Sequence, residues 1–386
     1  MHVLMLSLDP SLLTDPNGNA RARHLDYAAR CGRLTIIVRR ARTSGAPVHA
    51  SDALTLIPSA SRHPILYPWD ALRIGRDLSG IDLIVTQDQF TSGLAGVWLR
   101  RRLRVPLLVQ NHTTLFGNPA WLREKPLRNR ALLALASYVR ARADFVRTVN
   151  QRERAAAIAA GVPEARVAAL PLGVVNAAFA TPPDAAAVIA LRTKLGLLPE
   201  HRVILWVGYP VAFKRVPLLL DVFKHITDAN PDVRLLLVGD LSPSPDDLRA
   251  HIARLGIGEC VITPGDVAHH DLPAYYALAD VYAHSSSYEG VPRVLMEAAS
   301  LGVPMVAMRA PGVDEVIEDG VNGCLVADGD VEAMAMEIIH ILSDPTHARE
   351  RAAAGRASAL EKYGTETYAE RWVGLWQQAI AMGMRV

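Results

Sequence analysis

Two carboxylates stand out in the run His284-Ser285-Ser286-Ser287-Tyr288-Glu289-Gly290-Val291-Pro292-Arg293-Val294-Leu295-Met296-Glu297-Ala298, with seven residues between Glu289 and Glu297. A short apolar strand over 280–283 feeds a Ser/Gly turn. Pro292 suits the first turn of the helix that follows, where its missing N–H costs no hydrogen bond. Glu289 then sits at the mouth of a strand-to-helix loop, and Glu297 about a turn and a half into the helix. In a parallel α/β sheet such loops lie at the carboxyl edge, where ligands bind. Carboxylates there accept hydrogen bonds from sugar and ribose hydroxyls, while the helix N-terminus favours a phosphate. Spacing alone decides little, because a capping glutamate and a solvated one at the same offset occur on many helices.

The flanking segments narrow the reading. Downstream come Leu301-Gly302-Val303-Pro304-Met305-Val306-Ala307, Pro311-Gly312-Val313-Asp314-Glu315-Val316-Ile317, Asp319-Gly320-Val321-Asn322-Gly323-Cys324-Leu325-Val326 and Gly329-Asp330. Upstream are Gly265-Asp266-Val267 and Leu272-Pro273-Ala274-Tyr275-Tyr276-Ala277-Leu278-Ala279-Asp280. In this order the segments resemble the C-terminal signature of the retaining GT-B glycosyltransferases of family 4 (group 1), with Glu289 and Glu297 as the Glu-x7-Glu pair. The resemblance is clearest over residues 165–345, and traces reach back to the N-terminus.

That resemblance implies two Rossmann-like doubly wound α/β domains facing each other across a cleft. It also implies a nucleotide-sugar donor, which we expect to be uridine-linked, and transfer of a hexose with retention, with no obligatory metal and no other cofactor. Gly208-Tyr209-Pro210-Val211-Ala212-Phe213-Lys214-Arg215 is similar to the family's phosphate-binding loop. In it Gly208 lets the backbone come close and Lys214 pairs with the diphosphate. Glu297 would accept from the ribose and Glu289 from the transferred sugar, with Gly290 and Val291 offering backbone N–H groups. Val267 would meet the base through its main chain, although it reads equally as a plain strand-edge residue. From the N-terminal half the resemblance nominates Gly18, in the loop before the first long helix, and His112, after the strand 105–110. Gln87 to Phe90 ends another strand on that edge and is a guess for the acceptor site. The chain departs from the pattern at Tyr209, where many relatives carry Arg, and at Arg215, where many carry Gly. Arg215 either replaces the missing charge or is an ordinary surface residue. The turn Glu-Gly-Val-Pro replaces Glu-Gly-Phe-Gly, so Pro292 removes one possible donor.

The elements needed to position these groups are legible. Half of the 386 residues are hydrophobic and 21% are charged, a globular mixture long enough for two domains. Apolar runs at 2–8, 34–38, 82–86, 105–110, 145–148 and 167–170 alternate with helical stretches at 20–31, 91–103, 126–142 and 151–160. This is the pattern of parallel βαβ units. After a turn-rich segment around 170–183 it restarts. Strands follow at 203–208, 233–238, 261–262, 281–282, 305–306 and 324–326, with helices at 216–229, 246–255, 271–279, 292–301 and 331–343. We therefore expect an acceptor-binding domain over 1–180 and a donor-binding domain over 181–364. A final helix over 365–386 should turn Tyr368, Trp372 and Trp376 back onto the first domain.

Three scattered cysteines form no metal-spaced pair and suggest a reducing compartment. No apolar run approaches the ~20 residues of a membrane span, and the first residues read as a buried strand. The expectation is a cytoplasmic protein, at most peripheral at the inner membrane face. Residues 1–175 hold 24 Lys+Arg against 12 Asp+Glu, whereas the remainder holds 17 against 27. The basic half, with Arg100, Arg101, Arg102 and Arg104, and again Arg123, Lys125, Arg128, Arg130, Arg140, Arg142 and Arg147, would attract an anionic membrane surface or a polyanionic acceptor. An Arg-biased solvated surface has the same composition, and nucleic acid is the less favoured partner. The expected acceptor is a glycan or lipid-linked sugar of a surface polysaccharide. The rivals are a metal-dependent transferase using Asp328 and Asp330, a dinucleotide oxidoreductase lacking the glycine fingerprint after its first strand, a non-catalytic nucleotide-sugar binder, and a nucleic-acid-directed glycosyltransferase.

Overall fold

The computed structural model describes residues 1–40, 45–112, 116, 118–173, 177–242, 245–290, 292–365 and 367–383. The chain divides into two compact units, Met1–Pro171 with Glu366–Val386, and Leu172–Thr365.

In the first unit β1 (His2–Ser7), β2 (Arg33–Val38), β3 (Val48–His49), β4 (Leu54–Pro58), β5 (Leu83–Thr86), β6 (Leu107–Asn111), β7 (Phe145–Thr148) and β8 (Val167–Ala169) form one sheet in the order β3-β4-β2-β1-β5-β6-β7-β8. Every pair is parallel except β3 with β4. The inner strands are buried and mostly apolar, with polar residues such as Gln110, Asn111, Arg147 and Thr148 toward their carboxyl ends. Strand order reverses at β1, where the Ser7 hydroxyl donates to Gln87 Oε1 at 2.6 Å and ties two strand ends together.

The helix Tyr368–Gly383 belongs to this first unit. Tyr368, Trp372, Trp376 and Ala379 recur at helical spacing, and all are buried with Tyr27 and Ala28 of the helix Asn19–Cys31. Trp376 meets Tyr27 edge to face at 5.9 Å. The division between units falls at Pro171/Leu172, earlier than the 180/181 read from the turn-rich segment. Phe179 explains the shift: it is fully buried in the second unit's core, 6.1 Å from the Tyr276 ring. The return crossing falls at Thr365/Glu366.

In the second unit β9 (Arg202–Val207), β10 (Val233–Val238), β11 (Val261–Gly265), β12 (Val281–His284), β13 (Met305–Met308) and β14 (Cys324–Val326) form a parallel sheet in the order β11-β10-β9-β12-β13-β14. Along β9 the side chains alternate. Val203, Leu205 and Val207 enter one core, and Ile204 and Trp206 the other. Each such burial contributes about 1.5–3 kcal/mol. The order reverses between β9 and β12, which creates a topological switch point at their carboxyl ends. Among the described residues no helix is long and apolar enough to cross a membrane.

Candidate active site

Both halves of the site grow from that switch point. β9 runs into Gly208, whose φ of +152° opens the chain outward, and β10 into Gly239 at φ +135°. The Gly208 N–H donates to the Val238 carbonyl and the Gly239 N–H to the Gly265 carbonyl, each at 2.9 Å. A Cβ on Gly239 would lie 2.0 Å from the Gly208 carbonyl oxygen, so only glycine fits there. Gly239→Ala should destabilise the second unit by about 2–3 kcal/mol. Urea unfolding measures this, and an unchanged midpoint would show that the strand edge yields instead.

After Gly208 a single turn over Ala212–Lys214 leads to Arg215 in the left-handed conformation (φ 48°), and the helix Val216–Ala229 begins. Neighbours in sequence, Lys214 and Arg215 reach different partners. Lys214 Nζ lies 3.4 Å from Glu289 Oε1. Arg215 turns away: its Nε donates to the Ser285 carbonyl at 2.8 Å and its Nη2 to Asp328 Oδ1 at 2.5 Å. Of the two readings left open for Arg215, these contacts favour a structural one: its guanidinium fastens three chain segments, and it is not among the residues lining the cavity beside Lys214. The same contact engages Asp328. Asp330 caps the helix Val331–Ser343 through the Ala333 N–H, which leaves the rival metal pair otherwise engaged.

β12 ends at His284, and the three serines that follow join the two loops. Ser285 Oγ donates to the Lys214 carbonyl at 2.7 Å, Ser286 Oγ to Glu289 Oε1 at 2.9 Å, and the Ser287 N–H to the Phe213 carbonyl at 2.8 Å. Tyr288 stacks on Phe213 with ring centres 4.9 Å apart. The Glu289 N–H donates to the Pro311 carbonyl at 2.7 Å. A Cβ on Gly312 would meet the Glu289 carbonyl at 2.2 Å and the Gly290 carbonyl at 3.0 Å. The Pro-Gly pair is thus a brace for the glutamate. Pro292 stands just before the helix Arg293–Ser300 rather than in its first turn.

One turn into that helix, Glu297 is 3% exposed. Its Oε1 is 3.0 Å from His269 Nε2, and its Oε2 accepts from the Tyr276 hydroxyl at 3.0 Å. Burial and the adjacent Glu297 carboxylate push the Tyr276 hydroxyl well above its ordinary value, so it remains a donor. A cavity of about 590 Å³ in this unit is lined by Gly208, Lys214, Gly239, Asp266, Val267, His269, Glu289, Arg293 and Glu297, among others. Its chemistry is mixed: two cations, three carboxylates, and main chain bared at the glycines, which suits an anion joined to a polyol.

Five nominated residues thus share one hollow: Gly208, Lys214, Val267, Glu289 and Glu297. Gly290 packs against Gly312 beside it, and Val291 lies outside the described residues. His269, Arg293, Ser286 and His284 are site-associated residues that sequence reasoning passed over. Gly18 and His112 belong to the first unit. Gly18 caps the helix Asn19–Cys31, and a Cβ there would strike Asp15 Oδ2 at 2.1 Å. His112 follows β6, with Nδ1 3.4 Å from Arg147 Nη1. Desolvation, helped by Arg147, lowers it to about 3, so its imidazole is neutral near pH 7.

Both halves of the chain resemble known glycosyltransferases. The model described as "Glycosyl transferases group 1" matches residues 189–358, and "Glycosyl transferase 4-like domain" matches residues 9–173. The chain is 30% identical over 304 residues to a D-inositol 3-phosphate glycosyltransferase of Xylanimonas cellulosilytica, covering 77% of this chain and 72% of that one. It is 32% identical over 236 residues to a GDP-mannose-dependent α-(1-6)-phosphatidylinositol monomannoside mannosyltransferase of Mycolicibacterium smegmatis. That match covers 59% of this chain and 61% of the relative's length. Among solved structures, Anabaena HepE in complex with UDP is similar at TM-score 0.77 and 22% identity, over 98% of this chain and 100% of that one. Sucrose-phosphate synthase of Thermosynechococcus elongatus is similar at TM-score 0.80 and 22% identity, over 99% and 100%. At those identities the likeness shows the fold, two parallel-sheet α/β domains of the GT-B kind.

Proposed function

The chain belongs to the group 1 glycosyltransferases, and from that premise we propose that it moves a hexose, with retention, from a uridine-diphosphate sugar to an alcohol on a glycan or lipid-linked sugar. The observation that carries this reading is the single cavity shared by Gly208, Lys214, Glu289 and Glu297 at the switch point of the second sheet. The diphosphate would lie against Lys214, with Arg293 at the helix N-terminus as a second cation. Glu297 is directed at the ribose and Glu289 at the sugar hydroxyls, and the Val267 main chain is available to the base.

In the reaction the bond from the anomeric carbon to the leaving phosphate oxygen breaks. The bond to the acceptor oxygen forms on the same face, and the acceptor's proton passes to the departing phosphate. Lys214 and Arg293 would stabilise the charge that grows on that phosphate, so the mechanism we propose routes no step through a metal. The acceptor belongs to a surface polysaccharide or glycolipid, and the enzyme works at the cytoplasmic face of the membrane. An exposed basic segment of the first unit supports that placement. Arg123, Lys125, Arg128 and Arg130 are exposed around Leu127, itself 86% exposed. Three members of the expected basic cluster are not part of this surface: Arg100 pairs with Asp144 at 2.6 Å, and Arg140 and Arg147 are buried.

A thermal-shift panel of UDP-, GDP- and ADP-sugars tests the reading. A true donor at a hundred times its dissociation constant adds about 2.7 kcal/mol, and silence from all three would refute it. Glu297→Gln keeps the shape but turns a charged acceptor into a neutral amide, so donor affinity should weaken by ~1.5–3 kcal/mol. Unchanged affinity would remove Glu297 from the ribose site.

A further inference from the structure

His284, the last residue of β12, is 1% exposed, and neither ring nitrogen has a hydrogen-bond partner among the described residues. Leaving an imidazole buried and unsatisfied is costly, a penalty that an apolar residue at this strand end would avoid. Its Nε2 lies 3.6 Å from Glu289 Oε1, just beyond hydrogen-bond reach. That oxygen also accepts from Ser286 Oγ at 2.9 Å and lies 3.4 Å from Lys214 Nζ. Burial, reinforced by Lys214 and Arg215, lowers His284 to about 3. At neutral pH the ring therefore has one N–H and one lone pair.

We propose that His284 is a positioning residue for Glu289, donating its Nε2–H to the carboxylate when Lys214 turns toward the donor's diphosphate. The inference rests on the function proposed above. Without donor, Lys214 is the cation beside Glu289. A diphosphate is the stronger attraction, and once Lys214 answers it, a carboxylate only 12% exposed on its side chain loses that cation's contact. A closure of about half an ångström brings the imidazole into range. Because the ring is neutral, it fixes the carboxylate without cancelling the negative charge that the sugar hydroxyls need. A protonated residue there would compete with them, and an apolar one would leave Glu289 to its remaining partners, Ser286 Oγ among them.

The test compares His284→Phe, which keeps the ring plane without the donor, with His284→Gln, which can return an N–H near the Nε2 position. UDP affinity should weaken by less than tenfold in His284→Phe, because the bond forms once the diphosphate draws Lys214 away, and should return in His284→Gln. Turnover at saturating UDP-glucose, followed as UDP release, should fall about 10–100-fold in His284→Phe, the scale of one hydrogen bond to a charged group, and recover in His284→Gln. A second measurement needs no variant. Imidazole ¹⁵N shifts of the wild-type protein at pH 7 should report a neutral Nε2–H tautomer that moves when UDP is added. The inference is overturned if His284→Phe turns over normally, if both variants lose turnover and UDP affinity together, or if the ¹⁵N shifts ignore UDP. A wild-type protein that binds UDP and cleaves no nucleotide sugar would instead bring down the functional reading beneath it.

Discussion

Lys214→Met lowers turnover of the preferred nucleotide sugar by about 10²–10³-fold, the usual cost of deleting one donor aimed at charge that develops in a transition state. Met keeps much of the stem, which matters because the Lys214 side chain lies 3.4 Å from where a Cβ on Gly208 would stand. What is lost is the ammonium group, the one cation both beside Glu289 and lining the donor cavity among the described residues. In the ground state the diphosphate already carries its charge, so UDP affinity should weaken less than turnover does. Arg293, exposed at the start of its helix, supplies a residual charge and sets the floor of activity. Lys214→Arg is not a conservative rescue. A planar fork does not fit a 16%-exposed position built around a point charge. Steady-state kinetics with UDP-glucose, alongside UDP titrations, check this result. A Met variant within threefold of wild-type turnover would place the leaving phosphate elsewhere.

The parallel sheets were largely legible because their central strands are short apolar runs closed by glycine, as at Val203–Gly208 and Val233–Gly239. What escaped lies where that signal is weak. Leu54–Pro58 ends in proline and alternates in burial, as suits a strand near the sheet edge, and nothing in its flanks marks it as β4. The helix Pro345–Tyr363 carries charge on many sides. It packs through Ala348, Ala352, Gly355 and Ala359, a seam of small residues with little apolar contrast. Within the site, Glu289, Glu297 and Lys214 could be named because an ordered set of neighbouring segments supported them. Arg215 could not be assigned, since a left-handed backbone at one position decides which way its charge points. The serines after β12 looked like a turn, whereas the Ser285 and Ser287 hydroxyls join it to the loop after β9. His284 left one trace that could have been read, a polar ring closing an otherwise apolar strand. His269 left none, because its pairing with Glu297 spans 28 positions.

Acid should unfold this protein well before its carboxylates titrate. His24, His112 and His284 are lowered from 6.5 to about 4, about 3 and about 3, chiefly by burial. Each is neutral in the fold, while in the unfolded chain it takes a proton near its ordinary value. The sign follows: the unfolded state binds more protons between about pH 3 and 6.5, so stability is complete above 6.5 and falls as the pH drops through that window. At pH 5 each group contributes about 2 kcal/mol of loss, less for the partly exposed His112, for a total of about 4–6 kcal/mol. That is a large share of the ~5–15 kcal/mol that holds a typical domain together. His2 and His201 shift in the same direction, and Asp88, raised by burial, opposes them. Two of the three strongly shifted imidazoles lie in the first unit, which should therefore melt first. Urea titrations at pH 7.5 and 5.0 measure the difference. His24→Leu, which removes a ring 3% exposed in the first core, should shrink it by about 2 kcal/mol. Equal midpoints at the two pH values would mean that protons reach these rings without unfolding the units around them.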